Sequence, residues 1–249
     1  MTLDINAICH IGNVRQKNED MIIVGNRLLR EASLSCTLNP APGELPLLVA
    51  IADGMGGHKG GAIASEIVVT DMYQAISTLP AGLNINDLRQ VMKEKIAAIH
   101  HRLNTEGAAD SEKTGMGSTF TGLLFYDQCV YLINIGDSRI YRFRDGILSQ
   151  FSRDHSLSAM TNDPNAPKNI LVNSLGAGAN LFIDFEDITP RLLNNDLLLL
   201  CSDGLNTEVS DHDIENMLSQ SADPIYLITA ALNNNGSDNV SVATVKYII

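Results

Sequence analysis

The chain has 249 residues, with 17 Lys and Arg against 29 Asp and Glu, which gives a formal net charge of -12. Its hydrophobic fraction of 45% and charged fraction of 18% exclude intrinsic disorder. The negative charge disfavours nucleic acid and anionic membranes as partners, so we expect neither. We expect one domain over residues 1–249, since layered β and α/β domains often reach this size.

The cysteines indicate a reducing compartment, because they lie far apart in sequence and predict neither a disulfide framework nor a zinc site. They are Cys9, Cys36, Cys129 and Cys201. The N-terminus lacks the basic and apolar stretches of a secretory signal, and no apolar run approaches the roughly 20 residues that cross a bilayer. We expect a cytoplasmic protein that acts as a monomer.

In chain order, the first clear elements are two helices. Apolar residues recur at helical spacing over residues 60–79 and again over residues 86–106. We predict that the two helices form an antiparallel pair. Segments rich in Pro and Gly at residues 39–46 and 162–168 predict loops.

The pattern then changes to consecutive strands over residues 118–126, 128–135 and 138–144, which predict a β-meander. Asp145-Gly146 predicts a hairpin turn after it. Further strands are predicted at 181–185 and 196–202, helices at 211–219 and 224–232, and a last strand at 239–248.

Helices inserted in pairs among mostly antiparallel strands favour an α/β (α+β) sandwich. In this fold class, two mostly antiparallel β-sheets pack face to face and are flanked by helix pairs, which gives α-β-β-α layers.

Aspartates accumulate where apolar strands end. The apolar run at residues 47–52 leads into Asp53-Gly54, the run at 197–202 leads into Asp203-Gly204, Asp137 follows the run at 130–135, and Asp238 precedes the last strand. Two interpretations stay open from these residues alone: Asp and Gly as ordinary turn residues, or a functional acidic cluster.

A functional cluster would suit Mg²⁺ or Mn²⁺. Carboxylates and an exposed backbone carbonyl at Gly54, with no Cys/His cluster, are the ligands of hard cations and disfavour zinc. Carboxylates close together cannot all stay ionised unless a cation compensates them. Two such ions could share a water, lower its pKa and deliver hydroxide to phosphorus.

Near the N-terminus, Arg15 stands shortly before the adjacent acids Glu19 and Asp20. A solvated charged loop explains this segment. So does a site in which Arg15 binds a phosphate through its forked guanidinium while the two acids hold a metal directly or through water.

Four sequence blocks in order resemble the metal-dependent PPM family of serine/threonine protein phosphatases, also called protein phosphatase type 2C, and the likeness extends over essentially the whole chain. The blocks are residues 12–20, residues 52–58, residues 135–139 with 153–156, and residues 201–205 with 236–240, and Gly-Met-Gly-Ser-Thr at 115–119 fits between the second and third. Because Met55 follows Asp53-Gly54, the chain resembles compact bacterial members of this family.

The resemblance implies roles for particular residues. Asp53, Asp203 and Asp238 would hold one metal. Asp53, the Gly54 carbonyl and Glu19 would hold a second. A third, weaker ion would lie at Asp137 together with Asp203.

It further implies that Arg15 clamps the substrate phosphate and that Asp20 orients metal-bound water. The cofactors would be Mn²⁺ or Mg²⁺.

Two departures from the family pattern affect function. Met55 stands where many eukaryotic members carry a histidine proposed as general acid, so the acid is unassigned and its role falls to a metal-bound water. The segment at residues 155–175 is shorter than the flap of typical bacterial members, which affects substrate preference.

The resulting hypothesis is a phosphatase that hydrolyses phosphoserine and phosphothreonine in proteins by a hydroxide bridging two Mn/Mg ions. Its substrates would be phosphorylated proteins, modified by a cognate Ser/Thr kinase. A non-catalytic phosphoprotein-binding scaffold is the alternative, although such proteins usually lose metal carboxylates. A two-metal nuclease would need a basic track, which the net charge disfavours.

Overall fold

Strands with one apolar face build the interior of the molecule, which the computed structural model describes over residues 1–40, 46–56, 60–161, 167, 170–178 and 181–249. In β1 (Thr2–His10) every second side chain is buried. This period of two is typical of a strand with one face on a core. Its side chains Leu3 and Ile5 pack against Ile22 and Val49, which belong to a second sheet.

The described strands form two antiparallel sheets. After β1, their bounds are β2 (Asp20–Val24), β3 (Arg27–Leu29), β4 (Ala32–Leu38), β5 (Leu47–Met55), β6 (Gly117–Ser118), β7 (Phe120–Tyr126), β8 (Cys129–Ile135), β9 (Arg139–Arg144), β10 (Ile147–Gln150), β11 (Asp184–Asp187), β12 (Leu197–Cys201) and β13 (Val240–Ile248). The first sheet has the order β10-β9-β12-β13-β1-β4, and the second has the order β11-β8-β7-β5-β2-β3 with β6 beside β5.

Helices cover both outer faces of the sandwich. Their bounds are α1 (Gly60–Ser77), α2 (Ile85–Ala109), α3 (Leu157–Thr161), α4 (Asp203–Asn206), α5 (Asp211–Gln220) and α6 (Pro224–Asn234), with short 3-10 helices at Ser111–Lys113 and Thr189–Arg191. α1 and α2 pack on the second sheet, where Val68 and Met92 join Ala50 in one core. α5 and α6 pack on the first sheet around Leu199. The predicted α-β-β-α sandwich is confirmed.

The predicted meander is wrong at its third strand. β7 and β8 pair in the second sheet, whereas β9 pairs with β12 and β10 in the first. Gly136 has a φ of +111° at the crossing, a backbone conformation that L side chains rarely adopt. The chain therefore changes sheets at Gly136-Asp137-Ser138 and leaves Asp137 at one end of the sandwich.

Most other predicted elements are confirmed with small shifts. The 60–79 and 86–106 helices are α1 and α2, and the Asp145-Gly146 turn has positive φ at both residues, as a type I′ hairpin requires. The strand predicted at 181–185 lies later, at Asp184–Asp187. β5 continues through Asp53 and Gly54 instead of ending before them.

The prediction missed β1 to β4, although the alternation in β1 was a usable signal. Residues 41–45, 162–166 and 168–169, which hold most of the two predicted loops, lie outside the described residues. No helix among the described residues is long and apolar enough to cross a bilayer.

Candidate active site

The pairing of β2 with β5 brings the first two acids together. Asp20 lies directly opposite Asp53 across the antiparallel pair, so the two side chains point to the same face. Asp20 is buried and accepts a hydrogen bond from Ser202 Oγ at 2.8 Å. Asp53 is held by its backbone, because its N–H donates to Thr119 Oγ1 at 3.0 Å and its carbonyl accepts from Thr119 N at 2.9 Å.

Two further aspartates come from the adjoining ends of β12 and β13. Asp203 is the first residue of α4, just after β12, and Asp238 stands two residues before β13. The charge of Asp203 raises the pKa of Asp53, and the charge of Asp238 raises the pKa of Asp203. Four carboxylates from four separate segments of the chain therefore lie close enough to interact at one end of the sandwich, in a region that we call the acidic hollow.

Glu19 is fixed to the same hollow through its backbone. Its N–H donates to Asn239 Oδ1 at 2.8 Å, and its carbonyl accepts from Gly54 N at 3.1 Å. A Cβ on Gly54 would lie 2.0 Å from Gly61 O and 2.7 Å from Glu19 O. Only glycine permits this approach, so the residue after Asp53 must lack a side chain for Glu19 to reach the cluster.

Asp137 faces the cluster from the crossing between the sheets. Its charge is among those that raise the pKa of Asp53, and the charge of Asp203 in turn raises the pKa of Asp137. The structure thus brings together Glu19, Asp20, Asp53, Asp137, Asp203 and Asp238, all of the acids that the sequence singles out.

Arg15 reaches the cluster from the loop between β1 and β2. Its Nη2 donates to Asp238 Oδ2 at 2.6 Å. Half of the Arg15 side chain is exposed, against 34% of Asp238. The guanidinium therefore lies at the solvent-facing rim of the hollow and partly compensates its charge.

Burial and mutual repulsion raise the pKa values of five acids in this cluster, Glu19, Asp20, Asp53, Asp137 and Asp203. Burial is the main reason that the pKa values of Asp53 and Asp203 are raised, and neighbouring carboxylates add to the effect. The pKa values of Asp20 and Asp137 are each raised to about 7 by burial first and by Asp203 next among the charges. The pKa of Glu19 is raised chiefly by burial. Full ionisation near neutral pH therefore needs compensating positive charge.

The donor set fits hard divalent cations. It consists of carboxylate oxygens and the Gly54 carbonyl, and Asp203 Oδ1 is buried without a hydrogen-bond partner, which is an available lone-pair donor. As the side chains stand in the described part of the chain, no three His, Cys, Asp or Glu converge as a metal-ligand group. Asp238 pairs with Arg15 instead, so binding a cation there requires that ion pair to rearrange.

The residues that hold the acids in place were not predicted from the sequence. Ser202, Thr119 and Asn239 are buried polar residues whose partners come from distant segments. Asn239 Nδ2 also donates to Ile11 O at 2.8 Å and to Lys17 O at 3.0 Å, which fixes the Arg15 loop. Their positions inside the matching blocks were the available signal, but their partners are not visible in the sequence.

Comparisons with known proteins show the family of this chain. The protein phosphatase 2C family model matches residues 41–241. The serine/threonine phosphatase stp of Listeria monocytogenes is 31% identical over 215 residues, which cover 80% of this chain and 84% of that protein.

Solved structures show the same likeness over the whole chain. The S. agalactiae serine/threonine phosphatase has a TM-score of 0.81 at 28% identity and covers 99% of this chain and 100% of that one. The Mycobacterium tuberculosis serine/threonine phosphatase PstP/Ppp has a TM-score of 0.78 at 29% identity and covers 100% of both chains. The chain belongs to the protein phosphatase 2C family, as the sequence blocks predicted.

The raised pKa of Asp137 predicts a pH-dependent cost to the metal-free fold. The folded protein holds this proton up to about pH 7, whereas an unfolded chain releases it near pH 3.9. The contribution of Asp137 to the free energy of unfolding therefore falls as pH rises through this interval and is lowest above it. Asp137→Asn removes the cost, so in the presence of a chelator we expect the variant to be more stable than the wild type at pH 8 by about 1 to 3 kcal/mol, and by less at pH 5.

Urea unfolding at the two pH values measures this difference. Asp145→Asn, in the exposed hairpin turn, is the matched control and should change stability equally at both pH values. A gain from Asp137→Asn that does not grow with pH would contradict the assignment of the raised pKa to Asp137.

Proposed function

We propose that this protein is a metal-dependent serine/threonine protein phosphatase that hydrolyses phosphoserine and phosphothreonine monoesters. The observation that carries the proposal is that Asp53, Asp203 and Asp238, from separate strand ends, lie close enough for their charges to raise the pKa of Asp53, while Arg15 pairs with Asp238. Membership of the protein phosphatase 2C family supports it, and so does the complete acid set, which a degenerate scaffold would not need.

We assign the metal ligands residue by residue. Asp53, Asp203 and Asp238 hold one Mn²⁺ or Mg²⁺ ion, and Asp53 with Glu19 and the Gly54 carbonyl holds a second. Asp137 and Asp203 hold a third ion more weakly. When bound, these ions lower the pKa of a coordinated water and compensate the negative charge of the phosphate.

Arg15 binds the substrate phosphate in this proposal. Its guanidinium is half exposed and already pairs with an anionic oxygen of Asp238. A planar fork of N–H donors matches two phosphate oxygens and stabilises the charge that they carry in the transition state. Because Asp238 cannot serve Arg15 and a cation equally, a cation held by Asp238 would leave the guanidinium of Arg15 available to a phosphate.

Asp20 orients the attacking water. Its carboxyl is buried and receives Ser202 Oγ at 2.8 Å, which fixes its direction. Burial raises the pKa of Asp20 in the metal-free cluster, and compensating cations would favour its ionised form, which can accept a hydrogen bond from water.

The substrates that we propose are phosphorylated proteins, modified by a cognate Ser/Thr kinase. The L. monocytogenes, S. agalactiae and M. tuberculosis proteins that the chain resembles carry the name serine/threonine phosphatase. We further propose that the enzyme acts in the cytoplasm, where its four free cysteines would stay reduced, and that it acts as a monomer.

Replacement of a proposed metal-ligating aspartate should lower turnover strongly and leave the fold intact. For Asp203→Asn and Asp238→Asn we expect kcat on a phosphothreonine peptide to fall by about 100-fold or more, because each loss removes a charged donor to an ion. Calorimetric titration with Mn²⁺ should show weaker binding by at least about tenfold.

Asp223→Asn is the matched control. Asp223 caps α6 through Ile225 N, and asparagine caps helices equally well, so turnover and Mn²⁺ affinity should stay at wild-type values. A folded wild type that is inactive on the peptide and on a small aryl phosphate with added Mn²⁺ would refute the proposed function.

Arg15→Lys should separate phosphate binding from metal binding. Lysine keeps the charge but loses the fork, so we expect KM for the phosphopeptide to rise by about tenfold while the Mn²⁺ dissociation constant does not rise. Steady-state kinetics and calorimetry on the same samples give both values. Arg27→Lys, at an exposed position of β3, serves as control, and an unchanged KM in Arg15→Lys would remove Arg15 from the phosphate site.

A further inference from the structure

His155 is the point at which three segments meet behind Asp137. It is 1% exposed and lies between β10 and α3. Its imidazole contacts Gly136 at the sheet crossing, Asn173, and Asp184 at the start of β11. The ring of Phe182 packs on it at a centroid distance of 4.4 Å.

These contacts determine which ring nitrogen carries the proton. The backbone N–H of Gly136 points at Nδ1 over 3.1 Å, and a backbone N–H can only donate. Asn173 Nδ2 also donates to Nδ1, at 2.8 Å. The orientation of the Asn173 amide is set independently, since its Oδ1 accepts from Phe182 N and its Nδ2 donates to Phe182 O.

Nδ1 is therefore an acceptor without a proton, and the proton is on Nε2. From Nε2 it is donated to Asp184 Oδ2 at 3.0 Å. The imidazole is neutral, and each of its nitrogens has a defined task.

Gly136 is held by His155 on both of its polar groups. Its N–H is bound by the imidazole, and its carbonyl accepts from the backbone N–H of His155 at 2.9 Å. A Cβ on Gly136 would lie 2.6 Å from Cγ2 of Thr119, so the crossing is also closed on the side of Thr119, the residue that binds the backbone of Asp53. The direction of the next residue, Asp137, follows from how Gly136 is held.

We propose that His155 is a positioning residue for Asp137. It fixes Gly136 in its left-handed conformation through Nδ1 and thereby aims the Asp137 carboxylate into the acidic hollow. Asp184 and Asn173 hold the ring in the tautomer that this task needs. The inference rests on the proposed function in one respect, since it takes Asp137 as a ligand of the weaker ion.

Two substitutions separate the two halves of the ring. The Oδ1 of asparagine overlaps the position of Nδ1, whereas the Nε2 of glutamine overlaps that of Nε2. His155→Asn therefore keeps the acceptor for Gly136 N–H and loses the bond to Asp184. His155→Gln keeps the bond to Asp184 and loses the one to Gly136.

We expect His155→Asn to keep Mn²⁺ affinity and kcat within about threefold of the wild type. We expect His155→Gln to weaken Mn²⁺ binding by about tenfold and to lower kcat, the range in which partners of metal ligands act. The amide proton of Gly136 should stay protected from exchange in His155→Asn and lose protection in His155→Gln. Equal behaviour of the two variants would overturn the proposal.

A double-mutant cycle distinguishes positioning from general destabilisation. In an Asp137→Asn background, His155→Gln should have no additional effect on Mn²⁺ affinity, because the two residues act through one carboxylate. Additive losses would overturn the proposal.

The ¹⁵N spectrum of the wild-type imidazole gives a test that needs no variant. A neutral ring protonated at Nε2 supports the proposal, and a proton on Nδ1 overturns it. If Asp137→Asn alone leaves Mn²⁺ binding and turnover unchanged, the assigned role of Asp137 fails, and the His155 proposal fails with it. If Asp137→Asn lowers both and His155→Gln lowers neither, the His155 proposal fails alone.

Discussion

The repulsion among carboxylates in one half-buried hollow is the constraint to which the rest of the site responds. Burial raises the pKa values of Asp53 and Asp203, and the charges of neighbouring carboxylates raise them further. Such a cluster is unfavourable for folding on its own. The fold must therefore supply enough stability elsewhere to hold the charges together, and the three apolar layers of the sandwich supply it.

Asp53 and Glu19 are positioned through hydrogen bonds to their backbone groups, whereas Asp20 and Asp238 also use carboxylate oxygens, toward Ser202 and Arg15. Thr119 binds both backbone groups of Asp53, and Asn239 binds the N–H of Glu19. Hydrogen bonds of this kind set the position of an acid without using up its oxygen atoms. The unpartnered Oδ1 of Asp203 is the clearest case, since an oxygen that the protein leaves unsatisfied in a buried place is available to a ligand.

Much of this could be predicted from the sequence, and the limits have physical reasons. The helices α1 and α2 and the acids at strand ends follow from local periodicity and from apolar runs that stop at Asp. The position of β9 could not be predicted in this way, because three consecutive strands look alike whether they stay in one sheet or change sheets. The left-handed backbone at Gly136, which decides between the two, is a property of one residue and its distant contacts.

The same reasoning explains why His155 escaped prediction while the acids did not. A carboxylate that binds a cation acts through its charge, and charged residues before glycines stand out in a sequence. His155 acts through its unprotonated Nδ1, which accepts a hydrogen bond from the backbone N–H of Gly136, 19 residues earlier in the chain. Asn173 and Asp184 hold the ring from two further segments. The charges determine which ions the acidic hollow can bind, whereas the hydrogen bonds behind it determine where each carboxylate points. Of these two properties, only the charge can be predicted from the residue types themselves.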